Sequence, residues 1–371
     1  MSPVNRDRLF RLMDEQGFDA VIAVSPENVH YLSGARIETQ ISIRDRLALV
    51  VWPLQEEPTF LVCNLEEAQA RDESWISDVR SYFEFKTSPM ELLADTLRER
   101  GLLGKRTGLE MKYLSAHDFV ALGRLLPSVQ FTDCSSLLEH TRMVKSPDEI
   151  AHLSRGAVAT DRTIRKTFEN ISVGKTEKQI ATELQINLLE AGADIQVFSV
   201  LTIGDHGCLT HPAASDRPAR PGEIIRTDFG GSFGGFGSDL ARTCVVSKPS
   251  QRQLDIYRWL WEFHERVIVE MKPGVKVSHL YNFLKKMYED NGQPFTRPHI
   301  GHGLGLVVHE HPMITPYAEQ LLEPNMVLCV EPNHLVPGVE KYHVEDTILI
   351  TDRGPEILSR SADWSRLLIV G

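Results

Sequence analysis

IIRTDFGGSFGGFGSDLARTCVV, residues 224–246, decides the fold of the C-terminal half. Two apolar runs flank a glycine-rich stretch, which predicts a β-hairpin. Asp228 ends the first strand, Asp239 starts the second, and GGSFGGFG turns tightly between them, close against whatever the acids bind. A hairpin of this kind sets two carboxylates side by side. Left unneutralised they repel and at least one pKa rises. A bridging cation removes that cost. An isolated pair of acids at this spacing is more often two solvated hairpin carboxylates, so the rest of the chain has to decide.

Three further segments do so. In HIGHGLGLVVHEHP, residues 299–312, His302 lies between glycines in a loop entering an apolar strand that His309 closes. Histidine is the commonest transition-metal ligand, and His299, His302, His309 and His311 crowd one short segment. Glu331 follows the apolar run MVLCV, and Glu345 precedes DTILI. A glutamate at the edge of an apolar strand is costly to bury without a partner. Each of these residues has an ordinary reading alone, as a packed histidine or a strand-end acid facing water. Together, four carboxylates and an imidazole suit a pair of divalent cations, which turn water into a nucleophile near neutral pH.

The 371 residues suffice for two domains, and 42% hydrophobic with 25% charged residues is ordinary for a globular chain. A net charge of −11 with no long basic run excludes nucleic acid as a partner. The five dispersed cysteines show no CxxC spacing and read as reduced thiols of a cytoplasmic protein. The N-terminal segment is a charged amphipathic helix without a signal-peptide core, and no apolar stretch is long enough to span a membrane.

Through residue 135, helices alternate with apolar strands (19–24, 46–51, 59–62, 107–110, 130–132), which predicts an α/β layer on a parallel or mixed sheet. Ser146, Pro147 and Glu149 make a capping box that opens a long helix. Thr176 and Gln179 open a second helix, and two more follow over 249–271 and 278–290. Strands over 197–203, 224–228, 238–246, 327–331 and 345–351 complete an α+β catalytic domain, with no tandem repeat visible. The expected domains are 1–140 and 141–371.

The motifs DFGGSFGGFGSDLART, GHGLGLVVHEHP, MVLCVEPN and VEDTILIT, with TRMVKSPDEI and NVHYLSG, make the chain resemble the creatinase/prolidase/aminopeptidase P/methionine aminopeptidase family of pita-bread metallopeptidases, in its prolidase-like branch. The resemblance implies an N-terminal α/β creatinase-like domain and a C-terminal pita-bread catalytic domain. It implies two divalent metal ions, manganese before cobalt, zinc or iron, held by Asp228, Asp239, His302, Glu331 and Glu345, with Asp239 and Glu345 bridging. It implies hydrolysis of a small peptide or amide, of the Xaa-Pro dipeptidase or aminopeptidase P kind, by a hydroxide between the metals. Glu331 then accepts the proton, and His211 and His309 contact substrate and the tetrahedral intermediate. A homodimer is implied as well.

Two departures bear on specificity. His343 stands where prolidase-like members carry arginine, and EPN replaces EPG after Glu331. Arg36, Arg44 and Arg46 lie in a segment that reaches a partner subunit's site in such proteins, and Arg46 is the candidate for a substrate carboxylate. Other readings are a family member that cleaves a small non-peptide amide or C–N bond, a serine hydrolase through Gly230–Gly234, and a metal-free binding protein. The serine motif needs a strand–elbow–helix context, and another glycine stretch and a strand follow it here.

Overall fold

Leu9 and Met13 are both fully buried one helical turn apart, and Gly17 takes a left-handed conformation just after them. Helix α1 (Arg6–Gln16) therefore has one core-facing stripe and a glycine stop. In this computed structural model, which describes residues 4–371, the chain forms two compact units, the first ending at Arg142 and the second beginning at Met143.

The first unit is built on strands β1 (Ala20–Ala23), β2 (Leu49–Pro53), β3 (Thr59–Cys63), β4 (Asp78–Tyr82), β5 (Thr107–Leu109) and β6 (Phe131–Asp133), in the spatial order β4-β3-β2-β1-β5-β6. β1 runs antiparallel to β2 and parallel to β5, so the sheet is mixed. β1, β2 and β3 are buried at every residue, as strands covered on both faces are. The other helices are α2 (Pro26–Ser33), α3 (Glu38–Ser42), α4 (Glu67–Glu73), α5 (Pro89–Glu99), α6 (Ala116–Leu125) and α7 (Ser135–Arg142). Buried Glu110 fixes the start of α2 by accepting hydrogen bonds from Val24 N, Ser25 N and Asn28 Nδ2 at 2.6–2.8 Å.

The second unit opens with α8 (Pro147–Glu169) and α9 (Glu177–Glu190), each closed at its N-terminus by a capping box, Ser146 with Glu149 and Thr176 with Gln179. Strands β7 (Ile195–Ile203), β8 (Ile224–Phe233), β9 (Phe236–Gly237) and β10 (Leu240–Val246) follow, then α10 (Gln251–Glu270) and α11 (Val277–Asp290). The remainder is β11 (Gly301–Gly303), β12 (Val327–Val330), β13 (Asn333–Val336), β14 (Glu340–His343), β15 (Asp346–Thr351), β16 (Gly354–Ile357) and β17 (Leu368–Val370). These strands make a β17-β10-β8-β7 sheet with β9 off β8, a β11-β12-β15-β16 sheet, and a β13–β14 ribbon. The core beneath them joins Phe168, Leu184, Phe229, Leu260 and Ile348.

The sequence shows no tandem repeat, yet the architecture is duplicated. Before α9, Gly174 N donates to Ala219 O and Thr176 bridges Pro218; before α11, Gly274 N donates to Leu322 O and Lys276 bridges Leu321. Gly174 and Gly274 share a left-handed φ, and so do Gly192 and Gly292 after the helices.

Two local expectations change. Asp228 lies in mid-strand, because β8 continues to Phe233 and the turn is Gly234–Gly235. Gly230 and Gly231 are strand residues; a Cβ at Gly230 would overlap Ser238 O, and one at Gly231 would stand 2.7 Å from Leu188 Cδ2. Residues 304–308 form no strand where one was expected; bends run over 305–309. The Glu310 carboxylate accepts from Leu306 N at 3.0 Å and is itself held by Lys145 at 2.7 Å, so a side chain serves that backbone in place of a ladder.

Candidate metal centre

Strand register assembles the centre. Ala241 faces Asp228 across the β8–β10 pair, and Asp239 lies two residues before Ala241. Side chains alternate with a period of two, so Asp228 and Asp239 project from the same face. In the second sheet His302 faces Cys329, and Cys329 faces Thr347. Glu331 is two residues after Cys329 and Glu345 two before Thr347, which puts both acids on the face that carries His302. Each glutamate sits one residue beyond its strand, so neither has to give up ladder geometry to reach inward.

Asp228, Asp239, His302, Glu331 and Glu345 all line one cavity of about 660 Å³, and so do His211, His309 and His343. His302 Nδ1 lies 3.1 Å from Gly303 O, which makes it the protonated nitrogen and leaves Nε2 with its lone pair. That Nε2 is 3.5 Å from Asp239 Oδ2 and 3.9 Å from Glu345 Oε1. Asp239 Oδ1 and Glu345 Oε1 are buried and accept no hydrogen bond. Orphaned carboxylate oxygens of this kind are expensive without a cation. The donor set, carboxylates with one imidazole, fits divalent metal ions.

The electrostatics divide the acids into two kinds. Burial, then the charges of neighbouring carboxylates, push Asp239 and Glu345 well above the usual carboxylate range. Burial also works to raise Glu331, but Arg297, His299 and His343 outweigh it and hold it well below that range. Arg297 Nη2 donates to Glu331 Oε2 at 2.9 Å, and His299 Nδ1 lies 3.1 Å from Oε1. His343 sits between two acids, Nε2 at 3.3 Å from Glu331 and Nδ1 at 3.6 Å from Asp228, neither well aimed for a hydrogen bond. Burial pushes His302 down to about 4 and lowers His309 and His343. The His302 and His309 rings stack at 3.9 Å between centroids.

Several contributors escape the sequence. Cys329 offers a ligand atom within 4.8 Å of those of Asp239, His302 and Glu345. Burial raises its thiol well above the usual range, and its Sγ is 3.8 Å from Asp239 O. Its spacing of two from Glu331 was the available signal. Arg297, Arg226 and Lys341 also line the cavity. They lie in segments where no motif singles out a cation.

Arg46 pairs within the first unit, with Glu84 at 2.7 Å and Glu66 at 3.6 Å. Ser232 lies inside β8 and bonds Asp194 at 3.2 Å, so the serine-hydrolase context is absent. Among the described residues, no helix is long and apolar enough to cross a membrane.

Residues 151–352 match the model of Metallopeptidase family M24, and residues 6–144 match the Creatinase/Prolidase N-terminal domain. An Xaa-Pro dipeptidase from Pyrococcus furiosus is 27% identical over 360 residues, covering 96% of this chain and 97% of that one. The prolidase from Pyrococcus horikoshii OT3 superposes with a TM-score of 0.84 at 26% identity, covering 96% of this chain and 98% of that one. The N-terminal domain of the FACT complex subunit SPT16 from Cicer arietinum superposes at 0.78 with 16% identity, covering 99% and 98%, a likeness that shows the fold alone. The chain belongs to metallopeptidase family M24, in its prolidase-like branch, with a creatinase-like N-terminal domain and a pita-bread catalytic domain.

Proposed function

We propose that this metallopeptidase is an Xaa-Pro dipeptidase with a dinuclear centre held by Asp228, Asp239, His302, Glu331 and Glu345. Asp239 and Glu345 would be the ligands that serve both cations. The observation that carries the reading is the pair of buried oxygens without partners, Asp239 Oδ1 and Glu345 Oε1. When bound, two such cations would supply an acidified water and polarise the scissile carbonyl. The oxygen-rich donor set suits manganese first, with cobalt, zinc or iron admissible.

The protein groups divide the remaining work. His302 points a lone pair inward because Gly303 O takes its other N–H. Glu331 accepts the proton of the attacking water. Arg297, His299 and His343 surround its carboxylate and oppose lasting protonation, so the proton passes on to the leaving nitrogen. His211 and His309 steady the developing oxyanion from the cavity wall. The five unpaired cysteines support a reducing, cytoplasmic setting. A homodimer is read from the resemblance, and light scattering on the eluted protein tests it.

His343 favours one second reading. It stands between Glu331 and Asp228 where prolidase-like members carry arginine, which suits a small non-peptide amide or C–N bond as alternative substrate.

The test is metal analysis of chelator-stripped and reconstituted protein, with hydrolysis of Ala-Pro, Ala-Pro-Ala and small N-acyl or guanidino compounds. About two equivalents of manganese and turnover of Ala-Pro are expected. Protein that takes up no metal would sink the reading, and turnover of the non-peptide compounds alone would select the second one.

A further inference from the structure

The bends over 305–309 form an arch in which only His309 is exposed, so packing does little to hold its ring. The backbone is held instead. Gly303 and Glu310 exchange hydrogen bonds at 2.9 and 3.0 Å across the feet of the arch. Beneath it the Glu310 carboxylate accepts from Leu306 N at 3.0 Å and from Val307 N at 3.4 Å through one oxygen. Lys145 Nζ meets the other oxygen at 2.7 Å, and both side chains are only 2% exposed. A Cβ at Gly305 would overlap both charged groups, so the pair fills the space under the arch.

Lys145 comes from outside the arch, in the segment before α8, where its backbone N–H donates to Asn325 O at 2.9 Å. An ion pair buried this deeply gives little stability that apolar side chains of similar size would not. What it supplies here is a fixed acceptor for backbone N–H groups that no strand ladder serves. The effect reaches the cavity at the adjoining residue. His309 directly precedes Glu310, lines the metal cavity, and stacks its ring on that of His302 at 3.9 Å between centroids and 27° between planes. The other cavity histidine, His211, lies on a loop gripped in a similar way. Buried Glu177 accepts from Ile203 N and Ser215 N, on either side of it, at 2.8 Å each.

We propose that the Lys145–Glu310 pair is a positioning device that presets His309 against His302 and toward the substrate. The proposal rests on the peptidase reading for the part His309 plays in turnover. The placement of the ring is testable without turnover.

Lys145→Met combined with Glu310→Met removes both charges, so that neither is left buried alone. In the zinc-loaded full chain carrying isotope-labelled histidine, the His309 ring resonance is identified by its absence in His309→Ala. It should show the shift of a ring stacked face to face. In the paired variant, folded and with normal metal content, it should move to the position of a free histidine. An unmoved resonance would overturn the proposal.

Turnover of Ala-Pro by the manganese-loaded protein separates positioning from a merely structural role. The paired variant should lose about tenfold or more in kcat with KM within about twofold, as loss of a contact to the developing oxyanion does. In a His309→Ala background the same replacement should cost less than about twofold more, because the residues act as one unit. An equal loss in both backgrounds would overturn the proposal. Wild-type turnover by His309→Ala, or no cleavage of Ala-Pro by any of these proteins, would remove the catalytic reading of His309 and leave the ring resonance to decide its placement.

Discussion

Glu345 donates its backbone N–H to Ala241 O at 3.0 Å, and Ala241 in turn faces Asp228 across the β8–β10 pair. One hydrogen bond thus ties the sheet that carries the aspartates to the strand that carries a glutamate. The acids face each other because two separate ladders are locked in register at this point.

That arrangement is costly for the protein without metal, since both acids are buried, Asp239 beside the charge of Glu345 and Glu345 beside those of Glu331 and Asp228. Asp239→Asn keeps the shape and removes one charge. It should abolish peptide turnover, lowering kcat/KM by about a thousandfold or more, by deleting a shared ligand. The chelated variant should nevertheless melt above the chelated wild type, by about 2–4 °C for each kcal/mol of repulsion relieved. Glu345→Ala should lose turnover as fully. Wild-type rates in either variant would contradict the site, and a lower melting point in chelated Asp239→Asn would contradict the electrostatic account.

Acid should unfold the chelated protein through histidines. Burial pushes both His264 and His302 down to about 4 from an ordinary 6.5. Between those values the unfolded chain binds more protons than the folded one. The associated stability is therefore complete above about pH 6.5, lost as pH falls to about 4, and constant below, at about 3 kcal/mol per histidine. Asp239 and Glu345 act oppositely, since their raised carboxyls cost stability as pH rises. Urea midpoints measured from pH 7 to 4.5 should fall, and less steeply in His264→Phe. Parallel slopes for the two proteins would rule out His264 as a contributor.

Much of this was readable along the chain, and the failures have local causes. Ser146 and Thr176 announce α8 and α9, because caps are short-range chemistry. The acids that meet in the cavity were recognisable from motifs flanked by apolar runs. Some residues that surround them were not: Lys341 depends on the β13–β14 ribbon, whose sequence NHLVPGVEKYH has no clear two-residue alternation. The glycines of 230–231 read as a turn because the need for close approach to Ser238 O and Leu188 is a tertiary fact. Residues 304–308 read as a strand because the carboxylate that satisfies their backbone, Glu310, is invisible to an apolar pattern.

His343→Arg would set a permanent cation against Arg226, already 3.5 Å from His343 Nδ1. Glu331 and Asp228 face the new charge, but the larger side chain at this buried position should still cost about 1–3 kcal/mol of stability. The variant's ratio of Xaa-Pro to non-peptide turnover should rise if this position sets specificity. An unchanged ratio in folded, metal-replete protein would show that it does not.

Ser232→Ala provides the complementary control. Its hydroxyl bonds Asp194 at 3.2 Å within β8. Losing that bond should cost about 1 kcal/mol of stability and leave turnover within about twofold. Complete loss of activity with metal retained would revive a serine nucleophile.

The support beneath the acids should matter as much as the acids. Arg242 is fully buried, donates to Asp161 and Asp346 at 2.8 and 2.7 Å, and also reaches the carbonyls of Ala241 and Glu345. Asp161 in turn accepts from Trp364 Nε1 at 2.8 Å and Ser361 N at 2.8 Å, so one guanidinium fixes both the backbone of Glu345 and the C-terminal segment. Arg242→Met leaves buried Asp161 without a cation and Asp346 with Arg360 alone, a loss of about 3–5 kcal/mol in comparable buried pairs. The variant that separates positioning from folding is Arg242→Lys, which keeps the charge but has too few donors to reach every partner. It should fold with a modestly lower melting point and bind manganese about 10–100-fold more weakly, as lost support of metal ligands does. Saturating metal should then restore most of its kcat. Wild-type manganese affinity in folded Arg242→Lys would show that the guanidinium serves the fold alone.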